Sequence, residues 1–170
     1  FAPAEGISTG GFRAVVDIDL LGSFHTAQAA FPHLKDSGGS IIFITAGQAY
    51  LPFSHQCHVG AAKAGVENLM ANLALEWGQY GIRSNSVVPG PIADTEGMKR
   101  LAPTPAAEQA WTDSVPLRRW GTKQEIAKVV QWLCSDDASY ISGVILPVDG
   151  GWSLGGVSAM GNGLKKALGG

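Results

Sequence analysis

Val59, Ala62, Val66, Leu69, Leu73 and Trp77 recur at intervals of three and four residues, the spacing that gathers one apolar stripe along an α-helix ending at Gly78. A short run stands on either side of it, Gly39-Ser40-Ile41-Ile42-Phe43-Ile44-Thr45 before and Ile82 to Val88 after. Short runs of this kind suit strands buried on both faces of a parallel sheet. A strand, a helix and a second strand in that order make a crossover unit, which is right-handed and covers the sheet with its helix. The alternation continues in both directions. Phe12 to His33 carries helical spacing, with Pro32 near its end, and Gln124 to Leu133 reads as a further helix. Thr122 is placed to cap that helix, with Glu125 three positions on to complete a capping box. Val144 to Val148 is a third strand, whose Pro147 lacks an amide donor and belongs on an edge. The expected class is α/β: a right-handed parallel sheet with covering helices.

Composition narrows the function classes. The 170 residues, 45% hydrophobic and 15% charged, suit one core rather than two. Twelve Lys+Arg against 14 Asp+Glu give a net charge of -2, which argues against a nucleic-acid surface. No apolar run reaches membrane-spanning length, since Asn72, Glu76 and Arg83 interrupt the best of them. Cys57 and Cys134 show no metal-ligand spacing and are expected as reduced, buried thiols of a cytoplasmic protein. His55 and His58 lack a third ligand, so no metal is expected. No secretory leader is read at the start, and Phe1 in place of Met is expected to mark a longer parent chain. The Gly-rich tail 153–170 ends Ala-Leu-Gly-Gly, which is no peroxisomal address.

Ligands of parallel sheets bind beyond the carboxyl ends of the strands, which directs attention to the loops 45–57, 89–100 and 149–152. The strand, Gly-rich turn and helix that cradle a dinucleotide pyrophosphate are not found in this sequence. Gly151-Trp152-Ser153-Leu154-Gly155-Gly156 follows the last strand and opens no helix.

Four segments carry a resemblance: Asp17-Ile18-Asp19-Leu20-Leu21-Gly22, Ala61-Ala62-Lys63-Ala64-Gly65-Val66, Ile82 to Ile92 with Pro89-Gly90-Pro91 at its end, and Asp149-Gly150-Gly151. In this order and spacing they resemble the C-terminal two-thirds of a short-chain dehydrogenase/reductase, over residues 1–152, and the resemblance implies the C-terminal part of a doubly wound parallel-sheet Rossmann fold, three-layer α/β/α. Two positions depart from the common pattern of that family. Val59 stands where a tyrosine precedes the lysine by four, and Ala46 where a serine ends the preceding strand. Neither side chain can donate a proton. The branch that lacks this tyrosine and carries aspartate at the position of Asp19 is the 2,4-dienoyl-CoA reductases, and the chain is most similar to their peroxisomal type.

The resemblance implies NADPH-dependent reduction of an unsaturated acyl-CoA in a homodimer or homotetramer, with NAD(H) left open because the discriminating residues lie outside this sequence. It assigns Lys63 to the nicotinamide ribose, Thr45, Pro89, Gly90, Pro91 and Ile92 to the cofactor loops, and Thr95 to the pyrophosphate. It places Arg100, and with it Phe1, Ala2 and Ser8, on the substrate side. Asp19 and Asp149 are candidates to hold the water that delivers a proton. An ordinary aspartate is ionised at neutral pH, so direct donation by Asp19 would require burial, which flanking Ile18 and Leu20 suggest. Tyr50 and His58 are alternative acids, the basis of a second reading as a short-chain oxidoreductase acting on another carbonyl or alcohol. A third reading is an inert fragment.

Overall fold

The computed structural model describes residues 2–155, and every structural statement below concerns these. A helix α1 (Thr9–Val15) runs through a π-helical turn (Val16–Leu21) into α2 (Gly22–Leu34). Then follow β1 (Gly39–Ile44), α3 (Cys57–Trp77), β2 (Ile82–Pro89), α4 (Glu96–Leu101), α5 (Pro105–Ser114), α6 (Lys123–Cys134) and β3 (Ile145–Val148). The strands form one sheet in the order β1-β2-β3. β1 and β2 are parallel, in register from Gly39 opposite Ile82 to Ile44 opposite Val87. Ser86 N–H donates to the Val144 carbonyl (2.8 Å) and Gly90 N–H to that of Val148 (3.2 Å). The bonds advance equally along both chains, so β3 is parallel too. The expected α/β class is observed, with Pro147 on an edge strand.

The described residues group into two compact units, one holding the chain up to Val88 together with Lys128–Leu146, the other holding Pro89–Ala127 and the chain from Pro147 onward. In the first unit the stripe of α3 buries Ala62, Val66, Met70 and Leu73. Val66, Met70 and Leu73 join Ala27 and Phe43 in one core, flanked by Leu20, Ile41, Leu69 and Trp77. Burying a side chain the size of Val66 or Met70 stabilises by about 1.5–3 kcal/mol, so this stripe alone fixes α3 to the sheet. The polar residues within β2 deliver the third strand. Asn85, fully buried, donates to the Ile141 carbonyl (2.9 Å) and accepts from the Val144 amide (3.0 Å). Arg83 donates to the same Ile141 carbonyl (3.2 Å).

In the second unit each helix begins at a threonine. Thr95 and Thr104 cap α4 and α5, with Pro105 at the first position of α5. At α6 the predicted capping box is formed: Thr122 Oγ1 accepts from the Glu125 amide (3.2 Å) and Glu125 Oε2 from the Thr122 amide (2.8 Å).

Four expectations are corrected. β1 is not buried on both faces: Phe43 is buried but Ile44 is 50% exposed, because β1 pairs only with β2 among the described residues. Both cysteines are exposed, Cys57 as the first residue of α3 and Cys134 as the last of α6, where a helix end leaves the side chain uncovered. The first helix begins at Thr9 and contains a π turn that simple periodicity does not announce. Helix α4 lies almost wholly within the expected loop 89–100, and α5 follows in a stretch to which no element was assigned, since six and ten residues hold too few apolar positions to form a stripe. The Gly-rich tail lies outside the described residues beyond Gly155. No helix of the described residues is long and apolar enough to cross a membrane.

Candidate active site

The π turn is the feature that builds the site. Gly22 N–H reaches back five residues to the Asp17 carbonyl, a bond one residue longer than the α-helical one. One extra residue in the turn shifts the phase of everything it contains. Asp19 lies at its centre, and its Oδ1 accepts from Lys63 Nζ on α3 at 3.2 Å. Ser23 Oγ donates to the Asp19 carbonyl (2.6 Å), giving a partner to an acceptor in the widened turn. Close approach of the two helices depends on Gly65: a Cβ there would lie 2.8 Å from Leu20 Cδ2. The aspartate is not enclosed by its sequence neighbours, for Ile18 is 74% exposed. The pair itself is half-open, with side-chain exposures of 21% for Lys63 and 28% for Asp19.

A second, buried chain of polar groups starts from the same helix. Glu67, one turn after Lys63, accepts from Thr45 Oγ1 (3.0 Å), and Thr45 Oγ1 lies 2.8 Å from Ser86 Oγ. A hydroxyl has one hydrogen to give, so with Thr45 donating to Glu67, Ser86 supplies the hydrogen of the second bond. All three residues are buried, Glu67 to 7% exposure. Burial pushes the Glu67 carboxyl above the usual carboxylate range, and the Thr45 hydrogen bond opposes the rise. The Thr45 amide donates to the Val87 carbonyl (3.0 Å), so both its amide and its hydroxyl serve the interior. Glu67 was not singled out from the sequence. The signal was there: a carboxylate set among Val66, Met70 and Leu73 on the buried face.

The remaining candidates of this unit are more dispersed. Tyr50 closes a short turn after Gly47–Ala49 and is largely exposed. His58 lies in the first turn of α3, with Nδ1 buried and without a hydrogen-bond partner among the described residues. The Ala2 amide donates to the His55 carbonyl (3.1 Å), and Ser8 caps α1 by accepting from the Gly11 amide (3.1 Å). Phe1 lies outside the described residues. No cluster of three or more His, Cys, Asp or Glu side chains among the described residues is placed to hold a metal.

In the second unit, Pro91 and Ala93 pair with Gly121, whose amide donates to the Pro91 carbonyl (2.9 Å) and whose carbonyl accepts from the Ala93 amide (2.9 Å). Thr95 Oγ1 donates to the Ile92 carbonyl (2.8 Å) while accepting from the Met98 amide (3.3 Å), so this hydroxyl fastens the Pro89–Ile92 turn to α4. Asp149 accepts from the Gly151 and Ser153 amides (2.8 Å each), one on each carboxylate oxygen, and organises its own turn. Gly90 permits this turn to approach: a Cβ there would lie 2.7 Å from the Asp149 Cα. Arg100 pairs with Glu96 one helical turn away (3.1 Å), both exposed. A cavity of about 550 Å³ is lined by Pro91, Ile92, Leu117, Ile126, Val148 and Asp149, among others.

The residues present fit one end of a nicotinamide cofactor. An ammonium offers three hydrogens; among the described residues Lys63 bonds Asp19, which leaves two hydrogens for acceptors such as vicinal ribose hydroxyls.

The chain is similar over most of its length to known reductases and dehydrogenases. The peroxisomal 2,4-dienoyl-CoA reductase SPS19 of Saccharomyces cerevisiae is 50% identical over 150 residues, covering 88% of this chain and 51% of that protein. The peroxisomal 2,4-dienoyl-CoA reductase of Rattus norvegicus is 45% identical over 150 residues, again 88% of this chain and 51% of the relative. The chain thus spans about half the length of the curated relatives it matches. Among solved structures, a gluconate 5-dehydrogenase from Burkholderia cenocepacia J2315 in complex with NADP and tartrate is 29% identical, with a TM-score of 0.85 over 89% of this chain and 60% of that one. The names of the relatives overturn the expected cytoplasmic location, since both reductases are peroxisomal. Unpaired cysteines and a small net charge describe a folded chain and encode no address. Residues 2–153 match the family model described as enoyl-(acyl carrier protein) reductase, and the chain belongs to the short-chain dehydrogenase/reductase family.

Proposed function

We propose that the protein reduces unsaturated fatty acyl-CoA thioesters with NADPH, in the manner of a 2,4-dienoyl-CoA reductase. The observation that carries this reading is the bond of 3.2 Å between Asp19 and Lys63, in a chain with valine at 59 on α3 and alanine at 46, two residues after β1. Reduction of a ketone needs a proton donor at the carbonyl oxygen. Conjugate reduction of a dienoyl thioester does not: charge develops on the thioester oxygen and the proton arrives on carbon. A bound nicotinamide supplies the hydride. Lys63 holds the ribose hydroxyls with the hydrogens that Asp19 leaves it, and its charge stabilises the developing oxyanion. Asp19 spends Oδ1 on Lys63 and keeps Oδ2 to hold a water that delivers the proton.

NADP(H) as cofactor is supported by the resemblance and by the NADP bound in the gluconate 5-dehydrogenase structure. The acyl-CoA substrate is supported by the names of the two reductases. The Pro89-Gly90-Pro91-Ile92 backbone and Thr95 as cofactor contacts, and Arg100 as a contact to the CoA, rest on the resemblance. Arg100 is held by an exposed pair worth only about 0.2–0.5 kcal/mol, which a phosphate can displace. A homo-oligomer is supported by the exposed apolar side chains Phe12 and Phe24 on α1 and α2 and Leu75 on α3.

The test is NADPH oxidation by the full-length protein with a 2,4-dienoyl-CoA. Lys63→Ala is expected to reduce turnover by about 10²-fold or more, the scale of losing a preorganised charge. A wild-type enzyme that ignores the thioester and turns over a simple ketone would sink the proposal.

A further inference from the structure

We propose that Glu67 is a positioning residue: by bridging α3 to Thr45, the residue after β1, and through it to Ser86 within β2, it fixes the height of the helix at which Lys63 meets Asp19. It is the sole ionisable side chain among the buried residues described. A leucine in its place would continue the stripe of Val66, Met70 and Leu73 with no polar group to desolvate, whereas a carboxyl in a core costs stability unless it is bonded. Apolar contact is non-directional and tolerates a helix sliding along its axis; the chain Glu67–Thr45–Ser86 does not, because its two bonds hold an atom of α3 to about 3 Å of Thr45 and Thr45 to about 3 Å of β2. Thr45 directly precedes Ala46, and Lys63 lies one helical turn from Glu67 on the same face. In a site with neither tyrosine nor serine at the usual positions, no second contact compensates if Lys63 is displaced from Asp19.

The kinetic arm of the test rests on the reductase reading; the labelling arm does not. In the full-length protein, amine acylation at Lys63, followed by mass spectrometry against the other lysines, is expected to rise about threefold or more in Glu67→Leu. In the same variant kcat is expected to fall about tenfold with KM for the acyl-CoA within about twofold, the weight of one buried hydrogen bond. Glu67→Gln, whose amide oxygen accepts the Thr45 hydrogen equally well, is expected to restore both. Should Glu67→Leu fail to fold, Thr45→Val removes the same bond without touching the carboxyl and is expected to move both readouts the same way. Wild-type labelling and kcat in Glu67→Leu or Thr45→Val, or a Glu67→Gln as impaired as Glu67→Leu, would overturn the proposal. A wild-type enzyme inert toward dienoyl-CoA would remove the reductase reading and leave labelling to decide the role of Glu67.

Discussion

Two ion pairs of this molecule look alike on paper and differ in what they leave unsatisfied. Arg119 and Glu125 are six residues apart, joined by two bonds of 2.7 and 3.0 Å, and the same carboxylate accepts from the Thr122 amide and hydroxyl. Those bonds, Arg119 first, hold the Glu125 carboxyl down to about 2. Both carboxylate oxygens are engaged, Oε2 three times and Oε1 once, and the outcome is a well-started helix. Lys63 and Asp19 come from elements 44 residues apart in sequence and share one bond of 3.2 Å. Two ammonium hydrogens and one carboxylate oxygen are left over. Saturated pairs hold structure, and unsaturated ones hold ligands.

The largest way to break this contrast is to neutralise one member of each pair. Beyond the loss expected of Lys63→Ala, Asp19→Asn keeps the shape of the side chain and removes its charge. Turnover of the dienoyl-CoA is expected to fall about tenfold or more, within the range for groups that manage a proton, while the melting temperature stays within a few degrees because partly exposed pairs contribute little to stability. An Asp19→Asn enzyme with wild-type turnover would reduce Asp19 to a structural residue.

How much of this was legible in the sequence follows from the range of each interaction. The sheet and α3 were readable because a stripe at 3.6-residue spacing and a strand are local patterns. So was the capping box, complete within Thr122 to Glu125. The π turn was not, since it needs α3 to be present: Gly65 leaves the space into which Leu20 packs. Asp19 was marked for an apolar setting that an exposed Ile18 does not provide; its bond to Lys63 spans 44 residues and no local pattern announces it. Glu67 escaped notice because its partners are 22 and 41 residues removed along the polar chain, Thr45 from Glu67 and Ser86 from Thr45. Asp149 stood out as a carboxylate beside two glycines, and in the structure it serves the backbone amides of its own turn.

A smaller effect sharpens the same contrast through packing. Gly65→Ala places a Cβ 2.8 Å from Leu20 Cδ2, the far end of a flexible side chain, with Cδ1 at 3.2 Å. Alanine is favoured over glycine inside a helix by about 1 kcal/mol, while the crowding costs about 1–3 kcal/mol, so net stability should change by about 2 kcal/mol at most. Leu20 adjoins Asp19 in the π turn, however, and its displacement carries the carboxylate with it. A several-fold fall in kcat at a melting temperature lowered by only a few degrees is expected; unchanged kcat would show that the turn tolerates the shift.

The mildest expected effect belongs to the saturated pair and turns on pH. The Glu125 carboxyl is held near 2 in the folded chain against about 4.5 when free. A depressed acid binds fewer protons folded than unfolded, so its contribution is complete above about 4.5 and disappears as pH falls toward 2. Glu125→Gln should therefore melt below the wild type at pH 7, with the two curves converging between pH 4.5 and 2. The difference should also shrink in molar salt, because the pair is exposed. NADPH oxidation at pH 7 should be unaffected by the same change. A gap between the two proteins that persists at pH 2, or a loss of activity as large as that of Asp19→Asn, would erase the distinction between the pair that builds and the pair that binds.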